Sequence, residues 1–306
     1  MRSYSFASII SDSQRARWSL DEVAADVHAL DFRKPFLPER LVHAEQLTDL
    51  DASTKLALNH VRAHSYLRLF ALVERFILPF AMMHAAKAMQ ASAERLLALM
   101  QFGEEEAKHI ALFERFSEAF EFGFGSHCGI VGPSEAVADQ VLAEDPLAVG
   151  LLVLHIEWMT QDHYTASVRG RDDIDPRFAS LLRHHWQEEA QHARIDTLLL
   201  DEMVDGYPPH RREQALRAYF DLLERIDGLL GTQVELDLEA LAQVAGALPG
   251  ITRDRLREHQ RASYREVFLR AGIEHPRVQE FIHRRFVGHQ SQLEASSARW
   301  RTSLVA

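Results

Sequence analysis

Two segments of the chain carry a glutamate and a histidine three residues apart. Glu106 precedes His109 in the first segment, and Glu189 precedes His192 in the second. On a helix, side chains at positions i and i+3 project from the same face, so both members of a pair can reach one metal ion. The spacing therefore indicates metal ligation, although one such match arises easily by chance in a chain with 17 histidines.

An upstream glutamate distinguishes these two pairs from chance matches. The sequence interval from Glu74 to Glu106 is the same as the interval from Glu157 to Glu189. Two antiparallel helical hairpins need such an equal offset to bring their ligands to one level of a bundle. Both upstream glutamates lie in apolar segments, where a carboxylate is costly to bury unless it is paired or bound to a metal.

A third Glu-x-x-His match acts as an internal control. Glu280 precedes His283, but Leu248 occupies the upstream position at the same interval from Glu280. We therefore interpret this third pair as part of a solvated helix face. Either upstream glutamate alone could simply reach the surface, and the shared offset is what makes metal ligation the better interpretation.

The elements that must position these residues are helices. With only 14 glycines and 10 prolines in 306 residues, few turns interrupt the chain, and no period-two strand pattern persists. We expect one compact all-α domain with an N-terminal helical or turn segment (1–50), a bundle (51–206) and a C-terminal helical extension (207–306). The bundle helices are predicted over about 51–90, 92–122, 146–168 and 176–204. Further helices are predicted over 211–247, 254–271 and 276–292.

Together the candidate ligands resemble those of the ferritin-like di-iron carboxylate proteins, in which two helices each give a Glu and two others each give a Glu-x-x-His. The resemblance covers about residues 55–205 and implies a ferritin-like four-helix bundle with one long crossover, here 122–146, plus accessory helices at both ends. It also implies two Fe ions that react with O2, with Mn or a mixed Fe/Mn pair as the alternative. Four carboxylates match the charge of two Fe²⁺ ions. The six ligands are Glu74, Glu106, His109, Glu157, Glu189 and His192.

One histidine breaks the symmetry between the two halves. His185 lies four residues before Glu189, whereas Phe102 occupies the equivalent position before Glu106. With a third histidine at this place, the candidate ligand set resembles that of the arylamine N-oxygenase branch of these proteins (the p-aminobenzoate N-oxygenase type). That resemblance implies that His185 is a seventh metal ligand and that the substrate is an aromatic amine. An ordinary core histidine is the alternative interpretation.

Three further residues are predicted to lie near the ligands. Asp196 follows His192 by four positions, so it can accept a hydrogen bond from a ligand histidine, with an ion pair to Arg194 as the alternative. Tyr66 and Tyr164 each lie about two helical turns from an upstream glutamate. Either tyrosine could line a pocket or carry a radical, but simple packing is the better interpretation.

Two more glutamates, Glu105 and Glu188, each directly precede a predicted ligand. Adjacent helical positions differ by about 100°, so these two side chains point away from the ligand face. They either pair across helices or are solvated.

Charge and composition argue against several classes of protein. A formal net charge of −11 disfavours nucleic acid as a partner, and the single cysteine, Cys128, excludes an internal disulfide or a Cys-rich zinc module. We see no targeting or membrane-spanning segment, so a cytoplasmic protein without a membrane partner is expected.

The resulting expectation is an O2-dependent di-iron oxidase or oxygenase acting on a small organic substrate. Its electrons would come from an external donor, because the chain has no Gly-x-Gly-x-x-Gly fingerprint. The extension after Gly206 would cap the bundle or form a homodimer surface. The main alternative is an iron-oxidising, metal-handling or structural protein without an organic substrate, and a radical-generating reductase subunit is a further one.

Overall fold

The structure, a computed structural model, describes residues 4–90, 92–288 and 290–300, and every regular element in these ranges is helical. The all-α fold predicted from the sequence is therefore confirmed. The α-helices are α1 (Phe6–Ala16), α2 (Leu20–Val23), α3 (Ala52–Ala88), α4 (Ala93–Phe124), α5 (Ser134–Leu142), α6 (Pro146–His163), α7 (Pro176–Gly206), α8 (Pro209–Ala245), α9 (Gly250–Tyr264), α10 (Ala271–Ile273), α11 (Pro276–Arg285) and α12 (Gln290–Arg299).

Helices α3, α4, α7 and α6 form a four-helix bundle, in that order around its axis. Short polar side chains begin each helix. Asp51 accepts a hydrogen bond from the Thr54 amide at 2.8 Å at the start of α3. Ser92, Asp145 and Asp175 cap α4, α6 and α7 in the same way. These caps fix where the long helices begin and hence the level at which their glutamates and histidines meet.

The two helices of the second hairpin come close together at Gly150 in α6. A Cβ atom built on Gly150 would lie 2.6 Å from Cδ2 of Leu200 in α7 and 3.1 Å from Cζ of Phe80 in α3. The missing side chain is therefore what lets three bundle helices meet there.

Helix α3 combines length with an apolar composition. It is the one helix in the described part of the chain that is long and apolar enough to cross a membrane, with a mean hydropathy of 1.5 over its most apolar window. Of that window, 61% is buried inside the protein. A helix at the centre of a bundle passes the same test, so this is weak evidence for a membrane span.

The structure differs from the sequence-based expectation in several connections. The crossover between α4 and α6 contains the helix α5 instead of being wholly irregular. The chain widens into one π-helical turn over Tyr164–Val168 and another over Arg265–Arg270. The helix predicted over 276–292 is interrupted between Arg285 and Gln290, where Gly288 takes a φ of 92° that favours glycine.

Both terminal segments pack on the bundle. Helix α1 lies against α4 and α7, while α8 crosses α3 and α6. The Tyr219 hydroxyl of α8 donates to Nδ1 of His155 in α6 at 2.9 Å. Asp237 of α8 accepts hydrogen bonds from Ser65 Oγ at 2.5 Å and from the Tyr264 hydroxyl at 2.6 Å. The proposed segment boundaries near residues 50 and 206 stay predictions.

Candidate metal centre

Buried ligand atoms from α3, α4 and α7 converge at the middle of the bundle. They form two groups in which all the ligand atoms lie within 4.8 Å of one another. Four members are the predicted pairs of α4 and α7, and Glu74 and His185 complete the set. The first group is Glu74, His109, His185 and Glu189, and the second is Glu106, His109, Glu189 and His192.

Glu189 links the two groups through its two carboxylate oxygens. Its Oε1 lies 3.0 Å from Nδ1 of His109 and 2.6 Å from Nε2 of His185. Its Oε2 lies 2.8 Å from Nδ1 of His192. A carboxylate placed in this way can bridge two cations.

The centre has the buried polar atoms that a cation would satisfy. Among the described residues, Oε2 of Glu106, Oε2 of Glu74 and Oε2 of Glu157 have no hydrogen-bond partner, and Oε1 of Glu106 has only Nδ1 of His192 close to it, at 2.7 Å. Unpaired buried carboxylate atoms are costly, and native proteins rarely retain them. The residues therefore fit a pair of metal ions, and mixed carboxylate and imidazole donors suit iron or manganese.

His109 and His192 are each oriented by a carboxylate from the opposite helix. Nε2 of His109 donates to Oε2 of Glu188 at 2.9 Å, and Nε2 of His192 donates to Oε2 of Glu105 at 2.8 Å. In both rings, Nδ1 thereby faces the cluster and would offer its lone pair to a bound metal. Of the two interpretations that the sequence left open for Glu105 and Glu188, the structure shows pairing across helices.

The N-terminal segment supports these two carboxylates. Ser13 of α1 donates its hydroxyl to Glu105 at 2.5 Å, and Nζ of Lys108 lies 2.5 Å from Glu188. Nζ of Lys108 also lies 4.1 Å from the ring centre of Trp18, and that indole stacks on the His109 ring at 6.0 Å between centroids. Sequence reasoning missed Ser13 and Trp18, because no local spacing relates them to side chains so distant along the chain.

Glu157 lies outside the two groups but contacts them through a hydrogen bond to Glu189. Burial raises the pKa of Glu157 well above its usual range, and the neighbouring charge of Glu189 adds to the effect. Although burial opposes it, the histidines His185 and His192 hold the pKa of Glu189 well below that range. Burial and charge therefore favour a protonated Glu157 beside an ionised Glu189.

Burial and charge act in opposite directions on the ligand histidines. Burial alone would lower the pKa of His109, but the charge of Glu189 and the hydrogen bond to Glu188 raise it to about 9. The pKa of His192 is raised well above its usual value by Glu189 and Glu105 in the same way. The buried carboxylates therefore favour the protonated form of both rings.

His185 faces the cluster. Its Nε2 lies 3.3 Å from Oε1 of Glu74 as well as close to Glu189, and the ring is 2% exposed. Phe70 and Phe113 pack edge-on against its ring, with centroid distances of 5.4 and 4.9 Å. The ring nitrogen is thus positioned as a ligand of the same group as Glu74.

The three outer residues named from the sequence have different surroundings. Asp196 is fully buried, and burial raises its pKa, but neither carboxyl oxygen has a hydrogen-bond partner among the described residues. Arg194 pairs with Asp12 at 2.7 Å. The Tyr66 hydroxyl donates to Nδ1 of His163 at 3.0 Å, whereas Tyr164 stacks on Trp186.

The control pair has no such surroundings. His283 is exposed, and Glu280 lies 3.2 Å from Arg277 on the same helix. The third Glu-x-x-His match is therefore part of a surface ion pair, as expected for a solvated helix face.

Two cavities lie beside the centre. A small one of about 10 Å³, room for about one water molecule, is bounded by His185, Tyr66, His163 and Tyr164. A larger, apolar one of about 90 Å³ lies between α3, α5, α6 and α8. Phe70 lines this larger cavity and contacts His185, so one aromatic ring separates the cavity from the cluster.

Comparisons with known proteins give only structural similarities. No protein-family model and no curated protein matches the chain. Similar solved structures include an R2-like ligand-binding oxidase with an aerobically reconstituted Mn/Fe cofactor, at 17% identity over 85% of this chain and 92% of that one, with a TM-score of 0.45.

Two mutants of R2-like ligand-binding oxidase give comparable values. One, with an anaerobically reconstituted Mn/Fe cofactor, is 18% identical over 85% of this chain and 91% of its own, with a TM-score of 0.45. The other, with an Fe/Fe cofactor, is 15% identical over 85% and 93%, with a TM-score of 0.46. Similarity at this level does not establish a family, so the function rests on the residues of this chain.

Proposed function

We propose that the protein is an O2-dependent di-metal oxidoreductase that oxidises a small organic substrate. The observation that carries this proposal is the buried cluster of carboxylates and imidazoles, in which one carboxylate oxygen each of Glu74, Glu106 and Glu157 lacks a partner among the described residues. Two iron ions, or one manganese and one iron, would supply the redox chemistry that activates O2 when bound there.

The proposed ligands are the seven residues singled out from the sequence. Six of them supply the converging atoms of the two groups, and Glu157 joins through Glu189. We assign His185 as the seventh ligand because its Nε2 faces Glu74 and Glu189, the two carboxylates that a metal ion in the first group would contact. The set is Glu74, Glu106, His109, Glu157, His185, Glu189 and His192.

The chain itself orients the ligands and excludes water. Glu105 and Glu188 hold the two imidazole rings with Nδ1 inward. Every proposed ligand is at most 2% exposed, so a reaction at the centre is shielded from bulk solvent. Electrons would come from a separate donor protein or reductant.

The apolar cavity favours an organic substrate over iron storage. An apolar cavity separated from the cluster by one aromatic ring suits the apolar part of a small molecule, and iron storage has no need of it. N-oxygenation of an aromatic amine is the specific reaction we propose, on the resemblance carried by His185. Native mass separates the alternatives, since a dimer supports the enzyme and a 24-mer supports a storage cage.

The first experiment is metal content after anaerobic loading with Fe²⁺, followed by absorption spectra on mixing with O2. We expect about two irons per chain and a transient near-ultraviolet or visible band. Glu106→Gln should lose bound iron, whereas the matched control Glu280→Gln, in the surface Glu-x-x-His pair, should keep it. No stoichiometric iron, or equal loss in both variants, would overturn the di-metal assignment.

The reaction and the seventh ligand are tested next. A panel of arylamines with a chemical reductant and O2 should give hydroxylamine, nitroso or nitro products. Absence of all of them from iron-loaded protein would rule out N-oxygenation. A His185→Ala variant that keeps full metal content and activity would show that His185 is not a ligand.

A further inference from the structure

We propose that the apolar cavity between α3, α5, α6 and α8 binds the substrate through an uncharged alkyl or aryl group, and that any polar end of the substrate is neutral or cationic. Its role as a substrate site rests on the proposed function. Binding itself needs no metal, so the two can be tested separately.

The interior of the cavity offers a ligand no hydrogen-bonding group. Its walls are apolar side chains from the four helices and from the π-helical turn over Arg265–Arg270. The neutral polar residues of the lining are Gln140, which is exposed, and His155, whose two ring nitrogens are engaged, Nδ1 with the Tyr219 hydroxyl at 2.9 Å and Nε2 with the Phe268 carbonyl at 3.0 Å. A polar group buried there without a partner would cost about 2–7 kcal/mol.

The rim of the cavity carries a negative balance. Arg225 is the charged residue of the rim, and its guanidinium is 2.6 Å from Glu144. Glu144, Asp221, Glu224 and Arg225 line an adjoining surface depression. Glu224 pairs with Arg299, which leaves Asp221 as the excess charge of this cluster. The rim would repel a ligand that carries a carboxylate there. It would accept a ligand whose outer end is an amine, a hydroxyl or an apolar group.

The inner end of the cavity lies against the candidate centre. Phe268 packs on Phe70 with 6.2 Å between ring centroids, and Phe70 in turn stands edge-on to His185 at 5.4 Å. A ligand that fills the cavity therefore presents its uncharged end to Phe70 and keeps its other end at the rim. The part of the molecule nearest the metals is then an uncharged one, a condition that the neutral nitrogen of an arylamine also meets.

The test uses metal-free, full-length protein and the fluorescent neutral probe N-phenyl-1-naphthylamine. We expect saturable binding, with decanol and decylamine displacing the probe at concentrations about tenfold lower than decanoate at pH 7. Leu229→Trp, at a half-buried wall position of α8, should weaken probe binding about tenfold by filling the cavity. Leu236→Trp is the matched control, because Leu236 is half-buried on the same helix outside the cavity.

A charge reversal tests the rim. Asp221→Lys, at an exposed position, should reduce the preference for decylamine over decanoate about fivefold or more without changing decanol binding. An unchanged preference would overturn the electrostatic part of the proposal.

The remaining outcomes are also decisive. If decanoate bound as tightly as decanol, the proposal that the polar end of the substrate is neutral or cationic would be overturned. Absent probe binding, or equal loss in both tryptophan variants, would show that the cavity is not the binding site. Failure of the protein to load iron would leave these binding results standing, so the two proposals fail independently.

Discussion

His109 and His192 present Nδ1 to the centre because Nε2 of each ring is bonded to a glutamate of the other helix. The exchange is reciprocal: α7 supplies Glu188 to the histidine of α4, and α4 supplies Glu105 to the histidine of α7. The surroundings of the two pairs are not equivalent. Trp18 and Lys108 support the first pair, whereas Phe102 stacks on His192 at 4.1 Å in the second.

The first prediction concerns Glu188. Glu188→Gln keeps the shape of the side chain but removes the charge that favours the Nε2–H tautomer of His109. We expect metal binding to weaken about 10- to 100-fold, measured by competition with a chelator. Glu202→Gln, at an exposed position of the same helix, is the control and should bind metal as the wild type does. Equal affinities for all three proteins would contradict the orienting role.

The second prediction concerns a buried histidine away from the centre. Burial, aided by Lys87 and Arg95, lowers the pKa of His84 from 6.5 to about 4. In the unfolded chain His84 takes up its proton near pH 6.5, while the folded protein keeps it neutral down to about pH 4. Folding is therefore disfavoured progressively as the pH falls through this window.

The variant His84→Gln isolates that effect. The free energy of unfolding of the wild type, relative to the variant, should fall by about 1.4 kcal/mol per pH unit between pH 6.5 and 4. Urea unfolding of both proteins at several pH values, in the same metal state, measures the difference. A difference that does not change with pH would show that His84 titrates alike in both states.

At the scale of the elements, the third prediction tests the close approach of the helices at Gly150. Gly150→Ala gains helix propensity, but its new methyl group meets Leu200 and Phe80. We expect a net loss of about 1–3 kcal/mol in the free energy of unfolding. Gly228→Ala in α8 is the matched control, since nothing lies within 4 Å of its Cβ position, and it should gain about 0.5–1 kcal/mol. Equal effects at both positions would contradict the packing argument.

The long helices could be predicted because their signals are local. Apolar periodicity, Asp or Ser caps and the scarcity of glycine and proline all act within a few residues. Helix α5 was missed because its nine residues lie in a segment whose glycines indicate irregular structure. The π-helical turn over Arg265–Arg270 could not be foreseen either, because its carbonyls at Phe268 and Val267 accept hydrogen bonds from the distant side chains of His155 and His163.

At the scale of the whole molecule, a buried polar network ties α8 and α9 to the bundle. Asp237 accepts hydrogen bonds from Ser65, Gln233 and Tyr264, at 2.5, 2.8 and 2.6 Å. The fourth prediction is that Tyr264→Phe costs about 1–3 kcal/mol of unfolding free energy, because the buried carboxyl loses a donor.

Urea unfolding measures this loss. The control Tyr207→Phe removes a half-buried hydroxyl that donates to Asp145 at 3.0 Å. It should cost about 0.5 kcal/mol or less. A Tyr264→Phe variant as stable as this control would show that the network does not hold the C-terminal extension in place.

Much of the candidate centre followed from spacing, because the i, i+3 pairs and the equal offset of their upstream glutamates are properties of the chain. The sharing of Glu189 between two groups, and the position of Glu157 behind it, depend on side-chain conformations that spacing does not determine. The apolar cavity could not be predicted from the sequence either, because its walls come from α3, α5, α6, α8 and a turn that includes Phe268.

The hydrogen bond from Ser13 to Glu105 and the stacking of Trp18 on His109 also have a consequence for biosynthesis. At about 5–20 residues per second, a ribosome needs roughly 10–35 s to pass from Ser13 to His192. The N-terminal helix therefore emerges long before the histidines and glutamates that it supports. Assembly of the centre must then follow synthesis of α7, so a nascent chain stalled before that helix would lack His185, Glu189 and His192 and could not retain a metal pair.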